Sequence, residues 1–259
     1  NRNLSVGAYG NPTAEIIIAI FALLFSLNFG LYFLLLQRRF KEALKSDEAR
    51  FFLLLVAGST ALITINIMPI YENVWDSLRY AFFQVASIIS TTGFATADFV
   101  LWPHFSQMIL VILMFCGACA GSTGGGIKCS RVVMLLRSIR RELHRIAHPR
   151  SVEVVRLDGK PVDESTLHSV LVFIGFYILI ILTAALVVSL DNVPFDVSFS
   201  AALTCVSNVG PGLATIGPSG NFAAFSPLSK VVLSLCMIIG RLEIFPILVL
   251  FSRHTWRRN

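Results

Sequence analysis

Long apolar runs separated by short polar connections dominate the chain. The principal runs cover residues 14–36, 51–70, 106–119, 165–190 and 227–252, and the third continues past a glycine cluster. Several of them approach or exceed the roughly 20 residues that a helix needs to cross about 30 Å of hydrocarbon. The pattern therefore predicts an all-α membrane protein.

The composition supports the same class. The mean hydropathy is +0.75 and only 14% of the residues are charged, whereas about a quarter of the residues in a soluble domain are charged. No nucleophile–base pair or metal cluster has a spacing that suits catalysis. His144 and His148 are four positions apart, but they lack the intervening Glu of a zinc protease. We therefore expect that the chain is not an enzyme.

Cationic residues concentrate in three connecting segments. Of the 21 Lys and Arg residues, 17 lie in residues 38–50, in residues 128–160 and at the C-terminus. Cytoplasmic loops of membrane proteins carry such an excess, so we expect 38–50, 128–164 and the C-terminus to be cytoplasmic. The basic charge then indicates topology, with a secondary role in contacting anionic lipid of the bilayer. It predicts no nucleic-acid partner, because no folded domain presents a basic face.

This topology leaves two further apolar segments on the outer side. Residues 76–96 and 194–213 each begin and end outside, and each combines a short amphipathic helix with a glycine-bearing extended piece. Non-helical backbone at membrane depth is tolerated only where protein buries it or water lines it. Both segments are therefore predicted to be re-entrant loops that face a cavity.

The two re-entrant segments align with each other at a constant offset of 117 residues. The same offset carries 51–67 onto 168–184, and the aligned pairs are Phe82 with Phe199, Ser87 with Thr204, Ser90 with Ser207, and Gly93 with Gly210. We therefore expect two copies of a repeat that runs helix, pore helix, filter loop, helix.

The extended pieces are candidate selectivity-filter segments. Glycine at positions 93 and 210 permits backbone angles closed to other residues, so successive carbonyls can replace the water shell of a dehydrated monovalent cation. The alternative is that the glycines and small hydroxyl residues only permit close helix packing. The predicted filter residues are Ser90, Thr91, Thr92, Gly93, Phe94, Ser207, Asn208, Val209, Gly210 and Pro211.

Four motifs carry a family resemblance: STTGFAT at 90–96, AGSTGGGIK at 120–128, SNVGPGLA at 207–214 and IGRLEIFPILVLF at 239–251. Together they resemble the Trk/Ktr/HKT superfamily of potassium and sodium transporters, and most closely its bacterial TrkH-type subunits. The resemblance implies potassium uptake across the bacterial inner (plasma) membrane by a gated, channel-like pore built from four repeats around one axis. It implies K⁺ as the transported ion, bound by the backbone carbonyls of Thr91, Thr92, Asn208 and Val209.

The resemblance also implies a domain organisation. The chain matches only the third and fourth repeats, so we expect it to be the C-terminal portion of a longer subunit. The predicted units are the end of a preceding repeat at 1–50 (outer loop, helix 14–36, cytoplasmic loop), the third repeat at 51–146 with its filter near 90–96 and a glycine gate loop at 120–128, a cytoplasmic linker at 147–164, and the fourth repeat at 165–259 with its filter near 207–213.

The glycine loop at 120–128 is predicted to act mechanically. A nucleotide-binding P-loop is not expected, because Ile127 occupies its lysine position and no parallel strand precedes it. Consecutive glycines instead unwind the helix below the filter, and the family resemblance implies that such a loop gates the pore. The candidate gate residues are Gly121, Ser122, Thr123, Gly124, Gly125, Gly126, Lys128 and Arg241.

Arg241 lies inside the last apolar run, where a lone charge costs roughly 2.5–3.5 kcal/mol or more. Glu243 is two positions away on a different helix face and is a poor partner. Carbonyls of the unwound loop suit the five-donor guanidinium, so we expect Arg241 to hold the loop closed. The alternative is an ion pair between Arg241 and a glutamate of another helix.

The competing function is a cation-coupled secondary transporter, with symporter activity, or a variant permeable to both sodium and potassium. Coupling would require an intramembrane carboxylate that faces the pathway, and Glu15 and Glu243 are the candidates. The resemblance also implies a homodimer and a cytosolic nucleotide-binding regulatory subunit. The basic segment 128–160 and the C-terminus are the expected contact surfaces for that subunit.

Overall fold

The structure is a computed structural model that describes residues 4–149, 151 and 153–242. In chain order its α-helices are α1 (Pro12–Ser26), α2 (Phe29–Leu36), α3 (Phe40–Ala43), α4 (Asp47–Ile67), α5 (Val74–Ile89), α6 (His104–Phe115), α7 (Cys129–Ala147), α8 (Glu164–Val188), α9 (Phe195–Ser207) and α10 (Pro227–Arg241). Short 3₁₀ turns occur at Gly7–Tyr9, Phe99–Leu101, Ser189–Asp191 and Ala214–Ile216. Two strands, β1 (Arg156–Leu157) and β2 (Lys160–Pro161), form an antiparallel hairpin.

Helices α4 and α8 are each long and apolar enough to cross a membrane. They correspond to the predicted runs 51–70 and 165–190. Helix α10 ends at Arg241, and residues 243–252 of the predicted run, which include Glu243, lie outside the described residues. The helical architecture and these apolar spans agree with the predicted membrane class.

The predicted helix at 14–36 is divided into two helices. Helices α1 and α2 are bent by 90° at the break and could form one span only as a bent pair. Leu27 is extended (φ −76°, ψ 154°), and the Asn28 side chain caps α2 by accepting a hydrogen bond from Gly30 N at 2.7 Å. The capping asparagine starts a new helix in a new direction, which the apolar pattern alone did not show.

The linker between α7 and α8 departs from the all-α prediction, since it contains the β1–β2 hairpin. Asp158 and Gly159 both have positive φ, at 52° and 78°, as tight hairpin turns require. Asp158 N donates to Asp47 Oδ2 at 2.8 Å, and Arg137 of α7 donates to the same oxygen at 2.7 Å. The hydrogen bond to Asp47 raises the pKa of Arg137, so Arg137 and the Asp47 carboxylate form an ion pair that joins α7 to the start of α4.

The short helices α5 and α9 lie inside the helical assembly. Helix α5 packs against α1, α4 and α6, and α9 packs against α6, α8 and α10. Every residue from Phe83 to Ile89 is buried, and so is every residue from Ser200 to Ser207. Burial on all sides of both helices places their C-terminal ends in the protein interior.

Candidate functional site

An extended segment follows each of the two buried helices. Residues 90–94 follow α5, and residues 208–211 follow α9, whose last residue is Ser207. Thr91 and Gly93 have positive φ, at 56° and 72°, and Asn208 and Gly210 have positive φ at 57° and 112°. The same left-handed positions therefore recur in both segments, and two of the four are glycines, for which this conformation carries no steric cost.

A hydroxyl group on each helix holds the segment that follows it. Ser87 Oγ donates to Phe94 O at 2.6 Å, and Thr204 Oγ1 donates to Pro211 O at 3.1 Å. Each bond ties the far end of the extended segment to the helix that precedes it. The path of each segment is thus fixed by a side chain of its own helix.

The two extended segments approach each other closely at Gly93. A Cβ atom added there would lie 2.1 Å from Val209 O and 3.1 Å from the Pro211 side chain. Both distances are below normal van der Waals contact, so no residue larger than glycine fits without displacing the neighbouring segment. The structure therefore brings the two predicted filter segments together.

The glycine loop lies against both segments. Gly125 N donates to Thr91 Oγ1 of the first segment at 2.8 Å. A Cβ at Gly125 would lie 2.4 Å from Ser207 O of the second segment, and one at Gly124 would lie 3.4 Å from Ser90 O. The predicted gate residues are thus in direct contact with the predicted filter residues.

The helix break around the loop begins earlier than the sequence predicts. Helix α6 ends at Phe115, ahead of the glycine run, and α7 begins at Cys129. Gly117 N donates to Ile127 O at 2.9 Å, and Ile127 N donates to Phe115 O at 3.1 Å. These two bonds close the loop at its base, because they pair the end of α6 with the residues just before α7.

Arg241 binds the glycine loop directly. Its Nη1 donates to Thr123 O at 2.7 Å, and Lys128 Nζ donates to Gly124 O within the loop. Phe29 N, at the start of α2, donates to Gly121 O at 3.2 Å. Loop carbonyls are therefore bound from α10, from α2 and from the loop's own lysine.

Glu48 is the residue at this site that the sequence analysis missed. It lies in the first turn of α4, is only 6% exposed, and accepts hydrogen bonds from Ala120 N at 2.6 Å and from Ser130 N at 2.9 Å. An acidic residue in a first helical turn is ordinary, so the sequence offered no sign that this carboxylate binds another part of the chain.

Glu15, a predicted coupling candidate, is paired in the structure. Arg79 of α5 donates to Glu15 Oε2 at 2.7 Å and to Asp76 at 3.0 Å. The side chains of Arg79 and Glu15 are 10% and 4% exposed. This buried ion pair joins α1 to α5.

His144 likewise has an acidic neighbour, Glu153, at 3.1 Å.

Comparisons with known proteins agree with the resemblance found in the sequence. A sequence model of the TrkH family, described as cation transport protein, matches residues 3–257. The Trk system potassium uptake protein TrkH of Salmonella typhimurium is 36% identical over 261 residues, which cover 99% of this chain and 53% of that protein. TrkG of Escherichia coli is 32% identical over 98% of this chain and 52% of that protein.

The fold matches as well. The crystal structure of the potassium transporter TrkH from Vibrio parahaemolyticus superposes with a TM-score of 0.88 and 30% sequence identity, covering 98% of this chain and 55% of that one. The chain thus spans about half the length of the relatives that it matches. The family model extends over nearly every residue and describes transporters rather than enzymes. The chain belongs to the TrkH family of cation transport proteins.

Proposed function

We propose that this chain forms part of a gated, channel-like pore for potassium uptake across the bacterial inner membrane. In this proposal, residues 90–94 and 207–211 are two strands of the selectivity filter, and the loop 120–128 is the gate. The observation that carries it is the contact of Gly125 with both Thr91 and Ser207, which puts a glycine-rich loop directly against both extended segments.

The geometry of the extended segments supports a cation pathway. Helices α5 and α9 end at these segments, and the C-terminal end of a helix carries a partial negative charge that favours a cation. The carbonyls proposed to coordinate K⁺ belong to Thr91, Thr92, Asn208 and Val209. The matched Trk system relatives are named as potassium uptake proteins, which favours potassium as the ion.

The repeat organisation is part of the same proposal. Helices α4 and α8 begin 117 positions apart, and the Ser87 and Thr204 bonds recur at the same offset. We take 51–146 and 165–259 as the third and fourth repeats, 1–50 as the end of a preceding one, and 147–164 as the linker. A pore then requires two further filter strands.

Passive conduction is favoured over coupled transport. Glu15 is bound by Arg79 in a buried ion pair, which leaves it unsuited to exchanging protons or sodium with a pathway. Glu243, the other candidate carboxylate, lies outside the described residues. The proposal also places residues 38–50, 128–164 and the C-terminus in the cytoplasm. It further includes assembly as a homodimer and binding of a nucleotide-binding regulatory subunit.

The filter assignment is tested by rubidium and sodium uptake into cells that lack other potassium uptake systems and express the protein from its natural gene. Gly93→Ser should lower the rubidium-to-sodium uptake ratio about tenfold, because the added atoms displace Val209 O. Gly175→Ser is the matched control, since a Cβ at Gly175 meets nothing within 4 Å. An unchanged ratio in Gly93→Ser, with normal amounts of protein in the membrane, would exclude the filter.

A further inference from the structure

The N-terminal end of α7 lacks a capping side chain of its own. Its N-cap residue is Lys128, which makes no side-chain capping bond, and lysine supplies no acceptor for the free amide groups of a first turn. The acceptor comes from another helix, because Glu48 of α4 binds Ser130 N at 2.9 Å. A carboxylate at this position also interacts favourably with the helix dipole.

The same oxygen also binds the other end of the glycine loop. Glu48 Oε1 accepts from Ala120 N at 2.6 Å as well as from Ser130 N. Ala120 precedes the loop glycines and Ser130 follows them, so one buried atom fixes both ends of the segment. Among the described residues Glu48 has no salt-bridge partner, and its buried side chain accepts hydrogen bonds from both of these backbone amides.

The glycine loop is therefore held by two complementary kinds of hydrogen bond. Glu48 binds amide donors at the two ends, while Arg241 binds a carbonyl acceptor in the middle, at Thr123. A cavity of about 320 Å³, lined in part by Ala120, Gly121 and Lys128, lies beside the Glu48 contacts. A loop released from Glu48 has this volume available for movement.

We propose that Glu48 is a positioning residue that anchors both ends of the glycine loop and holds it against the two extended segments. The anchoring itself follows from the contacts of Glu48; its effect on ion flow rests on the proposed function. Glu48→Ala removes the acceptor for both amides. Glu48→Gln keeps one oxygen that can accept from both but removes the charge, so its effect should be intermediate.

The loop can be followed by the reactivity of the chain's own thiols. Cys119 and Cys129 flank the loop and are both 0% exposed, while Cys205 in α9 is 1% exposed and lies outside the loop. The purified protein is treated with a small water-soluble thiol reagent, and mass spectrometry of its peptides gives a labelling rate for each cysteine. Cys205 serves as the internal control for general loosening of the fold.

Glu48→Ala should speed labelling of Cys119 and Cys129 on the order of tenfold, since two bonds to a charged acceptor are lost, while Cys205 stays at its wild-type rate. Glu48→Gln should give a smaller increase at the same two positions. Glu42→Ala is the control for removal of a glutamate, because Glu42 is exposed and pairs with Arg39. It should change none of the three rates.

Two results would overturn the role of Glu48 as an anchor. One is that the labelling rates of Cys119 and Cys129 stay unchanged in Glu48 variants that reach the membrane. The other is that the labelling rate of Cys205 rises as much as those of Cys119 and Cys129. Rubidium uptake separates this failure from failure of the proposed function. Faster labelling with increased uptake supports both the anchor and the gate. Faster labelling with wild-type uptake supports the anchor and overturns the assignment of the loop as a gate.

Discussion

Ser87 and Thr204, which are 117 positions apart, make the same hydrogen bond: each donates its hydroxyl to the carbonyl of the residue seven positions later. Ser87 is 3% exposed and Thr204 is 1% exposed, so both hydroxyl groups are shielded from water. Loss of one such hydrogen bond costs about 0.5–1.5 kcal/mol. Both bonds set the path of a proposed filter segment.

Ser87→Ala and Thr204→Val should each lower the rubidium-to-sodium uptake ratio, by about threefold to tenfold, because the segment gains freedom at its far end. The two substitutions should act in the same direction, since the two segments are equivalent in the proposal. Thr183→Val is the control, because the Thr183 hydroxyl is exposed and donates to Leu179 O within its own helix. Equal ratios in wild type and both variants would contradict the role of these hydroxyls in selectivity.

Gly240 permits close contact between α10 and the end of α9. A Cβ at this position would lie 1.8 Å from Val206 O, so Gly240→Ala must push α10 away from α9. We expect a loss of about 1–3 kcal/mol in stability, measured as a lower midpoint of thermal unfolding in detergent. Gly175→Ala, in open space on α8, should be neutral or slightly stabilising, because alanine favours the helix. A Gly240→Ala midpoint equal to wild type would show that the helices separate without cost.

Arg241→Ala should raise the resting uptake of rubidium, which is the uptake measured while the pore is closed. The reason is that Thr123 O loses its donor and the glycine loop is less restrained. Arg241→Lys should restore part of the restraint, since an ammonium group can reach one carbonyl but lacks the planar fork. Lys230→Ala is the control on the same helix: Lys230 donates to Ala223 O, away from the loop. Wild-type resting uptake in Arg241→Ala would contradict the gate assignment.

The sequence predicts those parts of this site that depend on local chemistry or on repetition. The offset of 117 residues identifies Ser87 and Thr204 as equivalent, and the cost of a lone cation in an apolar run indicates that Arg241 contacts loop carbonyls. The hairpin at Asp158 also has a local sign, an Asp-Gly pair typical of tight turns. Its two-residue strands are too short to show a period of their own.

Other parts of the site form where segments far apart in the sequence come into contact. A single sequence does not show which distant segments will be in contact. Glu48 looks like an ordinary acidic residue of a first helical turn, and its role follows from the approach of Ala120 and Ser130 from another part of the chain. The 90° bend between α1 and α2 had a local cause in Asn28. Continuous hydrophobicity on both sides of Asn28 concealed the break.

The buried pair of Glu15 and Arg79 allows a test between channel-like conduction and coupled transport. The two side chains are 4% and 10% exposed, and removing one partner of such a pair leaves an uncompensated charge at a cost of about 3–5 kcal/mol. Arg79→Ala should therefore lower the thermal midpoint strongly. Glu15→Gln should lower it less, because the neutral amide can still accept from Arg79 and Asp76 also binds the guanidinium.

Transport separates the two functions in the same variants. If Glu15 only joins α1 to α5, Glu15→Gln should retain rubidium uptake with the wild-type dependence on external pH and sodium, reduced at most by the amount of protein in the membrane. A coupling carboxylate would instead lose that dependence, because the variant no longer binds the coupled ion. Asp76→Asn is the matched control, since Asp76 contacts the same arginine but is 36% exposed. Loss of the pH or sodium dependence in Glu15→Gln, with Asp76→Asn normal, would favour the coupled transporter over the channel.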